Sequence, residues 1–476
     1  MSVDVILIKP DFLNKQITRD ATRGRITFPH GLMYLAAVLR QKNYDVLILD
    51  EVLEKDPQRK LLDALRTNPI CVGICTTTGT QINFAIRFAE IIRANSRVPI
   101  VWGGPHPTIW AEQTLEDDLV DMVVVGEGEY TFAELVSALE KGDSISHIRG
   151  LGYKDQEGVH INPPAELCDL DLLPDLPYDL VNMEPYIGAI KKRRISRGIE
   201  IITSRGCPFS CSFCHNSIQK NPWRKKSVGK IISEIEYLRT NYNIDGFLIE
   251  DENFFVSKKR VIELCEELLR RNIRITIRGG GIRANQLASF DKQTLQLLRA
   301  AGFDHFGMGI ESGSPRVLEI LNKHITLDQI YKANQNARDH GFAISYNFMS
   351  GVPGEEISDY VETLKLILFL FQTNEHLIAP VGVPKFFYPD ANTLLGKKCL
   401  ENDFKPRESL REWGKYDYTN FECSWRSKDL ESLAIKAMHI VRDLQDKFTG
   451  ENAHITEDDY RPLKDLIEIA SVLSAT

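Results

Sequence analysis

The segment Arg205–Cys214 reads RGCPFSCSFC and follows the apolar run Ile199–Thr203 (IEIIT), which predicts a β-strand. Cys207, Cys211 and Cys214 therefore have C-x3-C-x2-C spacing on one short loop. Thiolates are soft ligands that suit iron–sulfur clusters. Because a cubane cluster usually takes four cysteines, three would leave one iron without a protein ligand. The spacing predicts a [4Fe–4S] cluster whose open iron can bind the amino and carboxylate groups of a small molecule.

Two other metal-binding patterns overlap this loop. Cys211, Cys214 and His215 fit the C-x-x-C-H pattern of c-type haem attachment. Three cysteines with His215 could also bind zinc. Haem attachment requires export, and the N-terminal MSVDVILIKPDFL has no basic segment followed by an apolar leader. The flanking strands are not those of a zinc ribbon, so the cluster is the favoured interpretation.

Strand and helix patterns alternate along most of the chain. After the loop's own strand, further strands are expected at 246–250, 273–278, 305–310, 343–349 and 377–381. Six strands with intervening helices predict a partial (β/α)6 TIM-type barrel over residues 196–390, with its chemistry at the carboxyl ends of the strands.

The N-terminal part predicts a different α/β unit. Apolar runs at 3–8, 45–49, 70–75, 98–102 and 122–125 alternate with helical patterns, which predicts a doubly wound, Rossmann-like parallel sheet in residues 1–142. Ligands of such sheets lie beyond the carboxyl ends of the strands. Residues 143–195 are rich in proline and are expected to form a linker with one hairpin, Gly152–Ile161.

Residues 391–476 are expected to form a helical region that caps the barrel mouth. Their aromatic residues, together with Tyr388, either line an acceptor pocket or form ordinary core, and core is favoured. These residues are Trp413, Tyr416, Tyr418, Phe421 and Trp425.

Bulk composition narrows the class of protein. The 476 residues carry a formal net charge of −8, which argues against a nucleic-acid partner, and the basic run KKRR at 191–194 reads as solvated surface. No apolar run reaches the roughly 20 residues of a membrane-spanning helix, so a cytoplasmic protein is expected. The nine cysteines are mostly dispersed, which argues against a disulfide scaffold. Cys71 and Cys75 read as core residues.

The cysteine loop resembles the motif of the radical S-adenosylmethionine superfamily, including the aromatic Phe213 before the third cysteine. The likeness extends over about residues 195–390. Ile249–Phe254 (IEDENF) resembles the acidic segment that ends the second strand. Gly309–Gly313 (GIESG) resembles the family's fourth-strand motif, and Gly351–Glu355 (GVPGE) resembles the turn after its fifth strand.

This resemblance implies a site for S-adenosylmethionine beside the cluster. Phe213 is expected near the adenine and the acidic segment at the methionine amino group. Arg278 or Arg283 would hold the methionine carboxylate through paired donors. Glu252 and Glu355 could equally serve only a tight turn or a helix cap. The expected residues are Phe213, Glu250, Asp251, Glu252, Arg278, Arg283, Glu311, Ser312, Gly351 and Pro353.

The N-terminal unit resembles the cobalamin-binding domain that precedes the radical barrel in one large subfamily. The matches are Pro29–Leu32 (PHGL), Thr76–Thr80 (TTTGT), Gly103–Thr108 (GGPHPT) and Gly126–Glu129 (GEGE). The sequence has no D-x-H-x-x-G here, so a histidine below the cobalt is not indicated, and His106 is expected to be a backbone-bonded loop residue. The implied cobalamin-binding residues are Thr76, Thr77, Thr78, Gly79, Gly103, Gly104, His106, Gly126, Glu127 and Gly128.

Together the two resemblances imply a class B-like radical S-adenosylmethionine methyltransferase. It would generate a 5′-deoxyadenosyl radical and use methylcobalamin to methylate an unactivated carbon of a small metabolite or lipid. It would need an electron donor such as flavodoxin or ferredoxin. Cyclisation, dehydration or rearrangement without methyl transfer remains open, as does a non-catalytic corrinoid or cluster carrier. A methylthiotransferase would normally carry a further cysteine set and a basic RNA module, neither of which the sequence suggests.

Overall fold

The computed structural model describes residues 3–12, 26–189, 194–216, 222–374, 381, 384–390, 392–402, 404–415, 423–449 and 455–475. The chain divides into two compact units, one of Met1–Lys191 with Pro406–Asn420 and one of Lys192–Lys405 with Phe421–Thr476. The α/β class predicted from the sequence is confirmed. Three predicted features lie outside the described residues, namely 191–193 of the basic run, 377–380 of the sixth strand, and Tyr416, Tyr418 and Phe421.

The first unit contains one sheet in the order β2-β1-β3-β4-β5-β6-β7. Strands β1 to β5 run parallel, and β6 and β7 join antiparallel to them. The order reverses beside β1, which is the switch point where doubly wound sheets bind ligands. The strands are β1 Val5–Lys9, β2 Val46–Asp50, β3 Cys71–Cys75, β4 Ile100–Gly103, β5 Met122–Val124, β6 Leu151–Asp155 and β7 Gly158–Ile161.

Helices surround this sheet. They span His30–Gln41, Pro57–Leu65, Gln81–Asn95, Pro105–Ile109, Ala111–Glu116, Glu129–Lys141, Met183–Ala189 and Leu410–Gly414, with a 3₁₀ turn at Tyr178–Leu180. The parallel strands β1 to β5 are mostly apolar and buried, as expected for a parallel sheet covered by helices, whereas the antiparallel β7 is largely exposed.

Residues 143–189 of the proline-rich segment belong to the first unit, and they do more than link two domains. Its hairpin supplies β6 and β7 of the sheet. Tyr178, Met183 and Tyr186 beyond it are buried, and the Tyr186 hydroxyl donates to Asp50 Oδ2 over 2.8 Å. The sequence does not predict this packing, because the segment buries its apolar side chains without the periodicity of a helix or a strand.

The second unit contains the strands expected of a partial barrel. β8, β11 and β12 form one parallel set, and β13, β14 and β15 form another. Two parallel bridges, Ile277 to Phe303 and Gly281 to Gly307, connect the sets. The strands are β8 Gly198–Ile201, β9 Ser204–Arg205, β10 Arg224–Lys225, β11 Gly246–Ile249, β12 Thr276–Gly279, β13 His305–Glu311, β14 Ala343–Ser350 and β15 Lys385–Phe386.

The helices of this unit begin at conventional caps. Ser227, Ser257, Asp291 and Thr326 each accept a hydrogen bond from the backbone three residues on. The helices are Val228–Tyr242, Lys258–Arg270, Ala284–Ala288, Lys292–Ala300, Pro315–Ile320, Leu327–Asp339, Ile357–Thr373, Leu394–Glu401, Lys428–Thr449 and Arg461–Ala475, with 3₁₀ turns at Phe254–Val256 and Glu457–Tyr460.

The C-terminal region, predicted to cap the barrel mouth, contains segments that pack against different parts of the protein. Helices Lys428–Thr449 and Arg461–Ala475 pack on the barrel's outer helix Ile357–Thr373. The Leu395 backbone amide, in contrast, donates to Ser212 of the cysteine loop over 2.9 Å. Among the described residues, every helix is too short or too polar to cross a membrane.

Candidate functional site

The cysteine loop follows β8 and β9 and rests on the chain segment after helix Pro315–Ile320. The Ser212 backbone amide donates to the Leu321 carbonyl over 2.9 Å, and its hydroxyl donates to the Ile320 carbonyl over 2.8 Å. The Asn322 side chain donates to the Ser210 carbonyl over 2.6 Å. These contacts fix the backbone between the first and third cysteines.

The acidic segment after β11 holds the residues that precede the first cysteine of the loop. Asp251 is buried and accepts hydrogen bonds from the Thr203 backbone and hydroxyl, both over 2.6 Å, and from the Ser204 hydroxyl over 2.5 Å. Arg260 also donates to the Thr203 carbonyl over 2.8 Å. The Asp251 carboxylate thus supports the backbone that leads into the loop, whereas the neighbouring Glu250 is exposed.

Glu252, the last carboxylate of the segment, contacts the cysteine loop directly. It accepts a hydrogen bond from the Gly206 backbone, next to Cys207, and its charge is felt at the Cys207 thiol. The residue is exposed, yet desolvation by the surrounding protein raises its pKa, with the charge of Asp251 adding to the shift. Of the acidic segment, it is the carboxylate that borders the cysteine loop.

The three thiols are within electrostatic reach of one another. Burial raises the pKa of Cys207 and Cys214, and the negative charge of the neighbouring thiols raises it further. Arg283 opposes this effect at Cys207 and Lys323 opposes it at Cys214. No described cysteine forms a disulfide. Three free thiols flanked by two cations fit an anionic iron–sulfur cluster.

Lys323 is a site residue that sequence reasoning missed. Its side chain is buried, its ammonium group lies 2.7 Å from Glu311 Oε1, and it lies 5.6 Å from the centre of the Phe213 ring. A Cβ at Gly309 would overlap Glu311 Oε1, so this glycine makes room for the ion pair. The signal in the sequence was only a lysine in a turn after a helix.

Glu311 also has an unusual backbone. Its φ is +75°, in the left-handed region that non-glycine residues rarely adopt, and the pairing of β13 with β14 shifts register between Gly309 and Glu311. This bulge turns the end of β13 and directs the carboxylate towards Lys323. Backbone strain of this kind is concentrated at functional sites.

The two arginines expected at the methionine carboxylate lie in different places. Arg278 is buried and pairs with Asp304 Oδ2 over 3.0 Å, and Arg194 and Arg299 share the same aspartate. Asp304 immediately precedes β13, at its amino-terminal end. Arg283, in contrast, donates from Nη1 to Cys211 Sγ over 3.5 Å. Only the second arginine joins the cysteine loop.

Ser312 and the GVPGE turn form backbone supports. The Ser312 side chain is buried between the Thr363 hydroxyl at 2.9 Å and the Ser314 amide at 3.1 Å. Glu355 accepts from the Gly351 amide over 2.6 Å and the Val352 amide over 3.2 Å, which closes the turn around Pro353. Burial raises the pKa of Glu355 to about 7. Glu355 therefore acts on the shape of the turn.

The carboxyl edge of the first unit's sheet brings the threonine and glycine turns together. The Thr76 amide donates to the Gly103 carbonyl over 2.9 Å, and Gly104 has a φ of +97°. An added Cβ at Gly104 would lie 2.8 Å from the Thr76 carbonyl oxygen. Thr77 contacts the Gln81 side chain through its amide and hydroxyl, which folds the TTTGT turn, including Gly79, back on its helix.

His106 is buried behind these turns. Its Nδ1 lies 3.1 Å from the Thr78 hydroxyl, and the ring meets the edge of Trp413. Burial lowers the pKa of His106 to about 4, so the imidazole is neutral near pH 7. Its Nε2 and the Thr76 hydroxyl are buried without a hydrogen-bond partner among the described residues. Such buried polar atoms beside a glycine turn fit a polar cofactor at this edge.

The GEGE turn lies at the same edge. The Gly126 amide donates to the Thr108 hydroxyl over 3.0 Å, and Gly128 precedes helix Glu129–Lys141. Glu127 accepts from the Cys168 amide over 3.0 Å. Residues 76–79, 103–106 and 126–128 thus follow three adjacent strands, β3, β4 and β5.

Comparison with known proteins identifies both units. The radical SAM superfamily matches residues 201–367, and the B12 binding domain matches residues 18–136. An uncharacterized methyltransferase of Pyrococcus horikoshii is 34% identical over 342 residues, which are 71% of this chain and 72% of that protein. The chain belongs to the radical S-adenosylmethionine superfamily. The resemblance found in the sequence is confirmed.

Two further comparisons concern the family and the fold. An anaerobic magnesium-protoporphyrin IX monomethyl ester cyclase of Rubrivivax gelatinosus is 31% identical over 71% of this chain and 61% of its own length. The structure of the radical SAM methyltransferase TsrM from Kitasatospora setae, with cobalamin and a [4Fe–4S] cluster bound, has the same fold. It aligns with a TM-score of 0.72 at 18% identity, over 99% of this chain and 100% of that one.

Membership of this family decides between the metal-binding alternatives. The radical SAM enzyme takes a [4Fe–4S] cluster and S-adenosylmethionine, and its B12-binding domain takes cobalamin. The cofactors predicted from the sequence are confirmed, and zinc and c-type haem are not needed to explain the loop.

Gly309→Ala is expected to weaken S-adenosylmethionine binding about tenfold or more. The added Cβ would overlap Glu311 Oε1 and lie 3.1 Å from Lys323 Nζ, so the carboxylate must move from its present position, and a disturbed hydrogen bond between charged groups costs about 1.5–3 kcal/mol. Isothermal titration of the reconstituted enzyme measures the affinity. Gly307→Ala on the same strand is the matched control, because nothing lies within 4 Å of its added Cβ. Equal affinities in both variants would contradict a role for the pair.

Asp251→Asn is expected to lower both thermal stability and cluster content. The substitution weakens a carboxylate that accepts three hydrogen bonds, and one to a charged group is worth about 1.5–3 kcal/mol. Iron per chain after anaerobic reconstitution and the Tm are the measurements. Asp429→Asn, at an exposed position in the first turn of a helix, is the control. Full iron content with an unchanged Tm would show that the loop does not need this carboxylate.

Glu355→Gln is expected to change the pH dependence of stability. The pKa of Glu355 rises from 4.5 to about 7 on folding, so between these values the folded chain keeps a proton that the unfolded chain has lost. Wild-type stability therefore falls as pH rises through this window, by about 3 kcal/mol at most. Glutamine does not titrate, so the Tm of the variant minus that of the wild type should increase from about pH 5 to about pH 8. The nearby charges of Asp359 and Arg316 are present in both proteins, so they do not cause a difference between them. A difference in Tm that does not change with pH would refute the raised pKa of Glu355.

Proposed function

We propose that this chain is a cobalamin-dependent radical SAM C-methyltransferase that acts on an unactivated carbon of a small metabolite or lipid. The observation that carries the proposal is the convergence of three free thiols, Arg283 and the Glu311–Lys323 pair at the barrel's strand ends, in a chain that also has a B12-binding domain. The relationship to a protein described as a methyltransferase supports methyl transfer.

In this proposal Cys207, Cys211 and Cys214 hold the cluster. When bound, the cluster, S-adenosylmethionine and cobalamin supply a 5′-deoxyadenosyl radical and a transferable methyl group. Arg283 and Lys323 offset the negative charge of the thiolates, and burial of Cys211 keeps water away from one ligand. The protein's own contribution is therefore a fixed, charge-compensated ligand set.

The same strand ends would bind S-adenosylmethionine. Phe213 offers an aromatic face, Glu252 a carboxylate for the methionine ammonium group, and Glu311 a carboxylate for polar groups of the cofactor. Lys323 holds Glu311 through one oxygen, which orients the other. Gly351 and Pro353 shape the adjoining turn, which Glu355 closes.

In the first unit, the turns after β3, β4 and β5 would bind cobalamin. Thr76, Thr77, Thr78 and Gly79 form the first turn, Gly103, Gly104 and His106 the second, and Gly126, Glu127 and Gly128 the third. His106 is buried behind these turns and its Nδ1 is held by the Thr78 hydroxyl, which suits a supporting role for the turn.

A second candidate function is cyclisation or another radical rearrangement without methyl transfer. The 31% identity to an anaerobic magnesium-protoporphyrin IX monomethyl ester cyclase supports it. In either case an external low-potential donor, of the flavodoxin or ferredoxin type, would reduce the cluster.

Anaerobic turnover with methyl-labelled S-adenosylmethionine separates these functions. The reconstituted enzyme is incubated with a cobalamin supply, a reductant and a small-molecule and lipid extract. We expect 5′-deoxyadenosine together with a product that has gained one labelled CH2 unit. Formation of 5′-deoxyadenosine without any labelled product would favour the second candidate, and an intact cluster that yields no 5′-deoxyadenosine would overturn both.

Cysteine variants provide the controls for this experiment. Cys211→Ala should lose the cluster and all 5′-deoxyadenosine formation. Cys423→Ala, which changes a free cysteine outside the loop, should retain both. The visible bands of bound corrinoid in the purified enzyme test the cobalamin site separately, and they should be present in both variants.

A further inference from the structure

Arg283 has an unusual environment for a residue beside a cofactor site. Its side chain is buried, and the guanidinium lies 4.0 Å from the centre of the Phe209 ring. Nη1 donates to Cys211 Sγ over 3.5 Å, and Nη2 donates to the Lys323 carbonyl. A stacking face and two directed donors fix this cation against the cysteine loop.

A charged donor on a ligating sulfur affects the cluster's electron affinity. Reduction adds one electron from the external donor to the oxidised cluster, without a proton, so the cluster and its thiolates gain one negative charge. Hydrogen bonds to the sulfurs and nearby positive charge stabilise that state and raise the reduction potential. Arg283 meets both conditions, because it contacts Cys211 and its charge is also felt at Cys207.

We propose that Arg283 is a positioning residue that sets the reduction potential of the cluster through its hydrogen bond to Cys211. This inference rests on the proposed ligation of the cluster by Cys211. It gives Arg283 a role different from the one expected from sequence, which was to bind the methionine carboxylate. Lys323 Nζ, the cation whose charge is felt at Cys214, is already paired with Glu311, whereas Arg283 donates directly to a sulfur of the loop.

The geometry favours the sulfur over a carboxylate. A carboxylate is bound best by two parallel donors of a guanidinium, and both terminal nitrogens of Arg283 are already engaged. Its Nε is buried and makes no hydrogen bond within the described part of the chain. Each terminal nitrogen has two N–H groups and already uses one of them, so a carboxylate would have to share the guanidinium with Cys211 and the Lys323 carbonyl. Affinity for S-adenosylmethionine is therefore measured as a separate quantity below.

Redox titration of the reconstituted enzyme without S-adenosylmethionine tests the proposal. Reduced cluster is followed by electron paramagnetic resonance in the wild type and in Arg283→Lys, Arg283→Gln and Arg283→Met. At a fixed potential the ratio of reduced to oxidised cluster should fall about tenfold or more in Arg283→Met, because a hydrogen bond to a charged group is lost. Arg283→Lys keeps the charge and should fall less. Arg271→Met, an arginine paired with Glu236 and Glu267 on the surface, should match the wild type.

The alternative role gives the opposite pattern. If Arg283 binds the methionine carboxylate, its variants keep the wild-type midpoint potential and bind S-adenosylmethionine more weakly, which would overturn the proposal. An unchanged midpoint at full iron content in all three variants would overturn it as well. Assembly of a normal cluster by Cys211→Ala would instead refute the ligation on which the inference rests.

Spectroscopy of the wild-type enzyme tests the proposal even if the variants fail to assemble a cluster. The enzyme is produced with nitrogen-15 arginine, reduced without S-adenosylmethionine, and examined by electron–nuclear double resonance. A hyperfine coupling from an arginine nitrogen to the reduced cluster is expected, since the guanidinium lies against a ligating sulfur. Its absence would overturn the proposal independently of any substitution.

Discussion

The attachment of an irregular loop to a regular barrel is the constraint on which the second unit's site depends. Three thiols can share one cluster only if the backbone between them is held still, and the loop has few hydrogen bonds of its own. Asp251 fixes the chain before the first cysteine, and the segment Ile320–Asn322 fixes the chain between the first and the third. The first support follows strand β11, and the second lies between two helices that connect β13 with β14, so the loop inherits the rigidity of the barrel.

Buried charge is compensated locally around this loop. Lys323 and Glu311 neutralise each other, and Asp251 is surrounded by hydroxyl and amide donors. A buried charge without such partners would be strongly unfavourable. Gly309 is part of this arrangement, because the two charged groups occupy the volume that a side chain at position 309 would need.

The sequence was sufficient for the fold because its apolar alternation is regular. Five of the six expected barrel strands, all five strands of the N-terminal parallel sheet and the motif turns coincide with described elements. The sequence did not predict contacts that depend on the direction of a side chain. Arg278 and Arg283 are five residues apart and equally basic, yet a glycine turn sends one to Asp304 and the other to Cys211. Lys323 carries no motif that a single sequence could reveal, since its importance comes from the residues it meets in space.

Pro406–Asn420 has a consequence for how this protein is built. This piece of the C-terminal region belongs to the first unit, where Trp413 is fully buried, packs beside His106 and Trp110, and donates to Gln113. The polypeptide therefore crosses between the units three times. A fragment ending at residue 191 would lack the indole that covers His106, so neither unit is a transplantable module, and exchange between related genes would have to carry two separate stretches of sequence together.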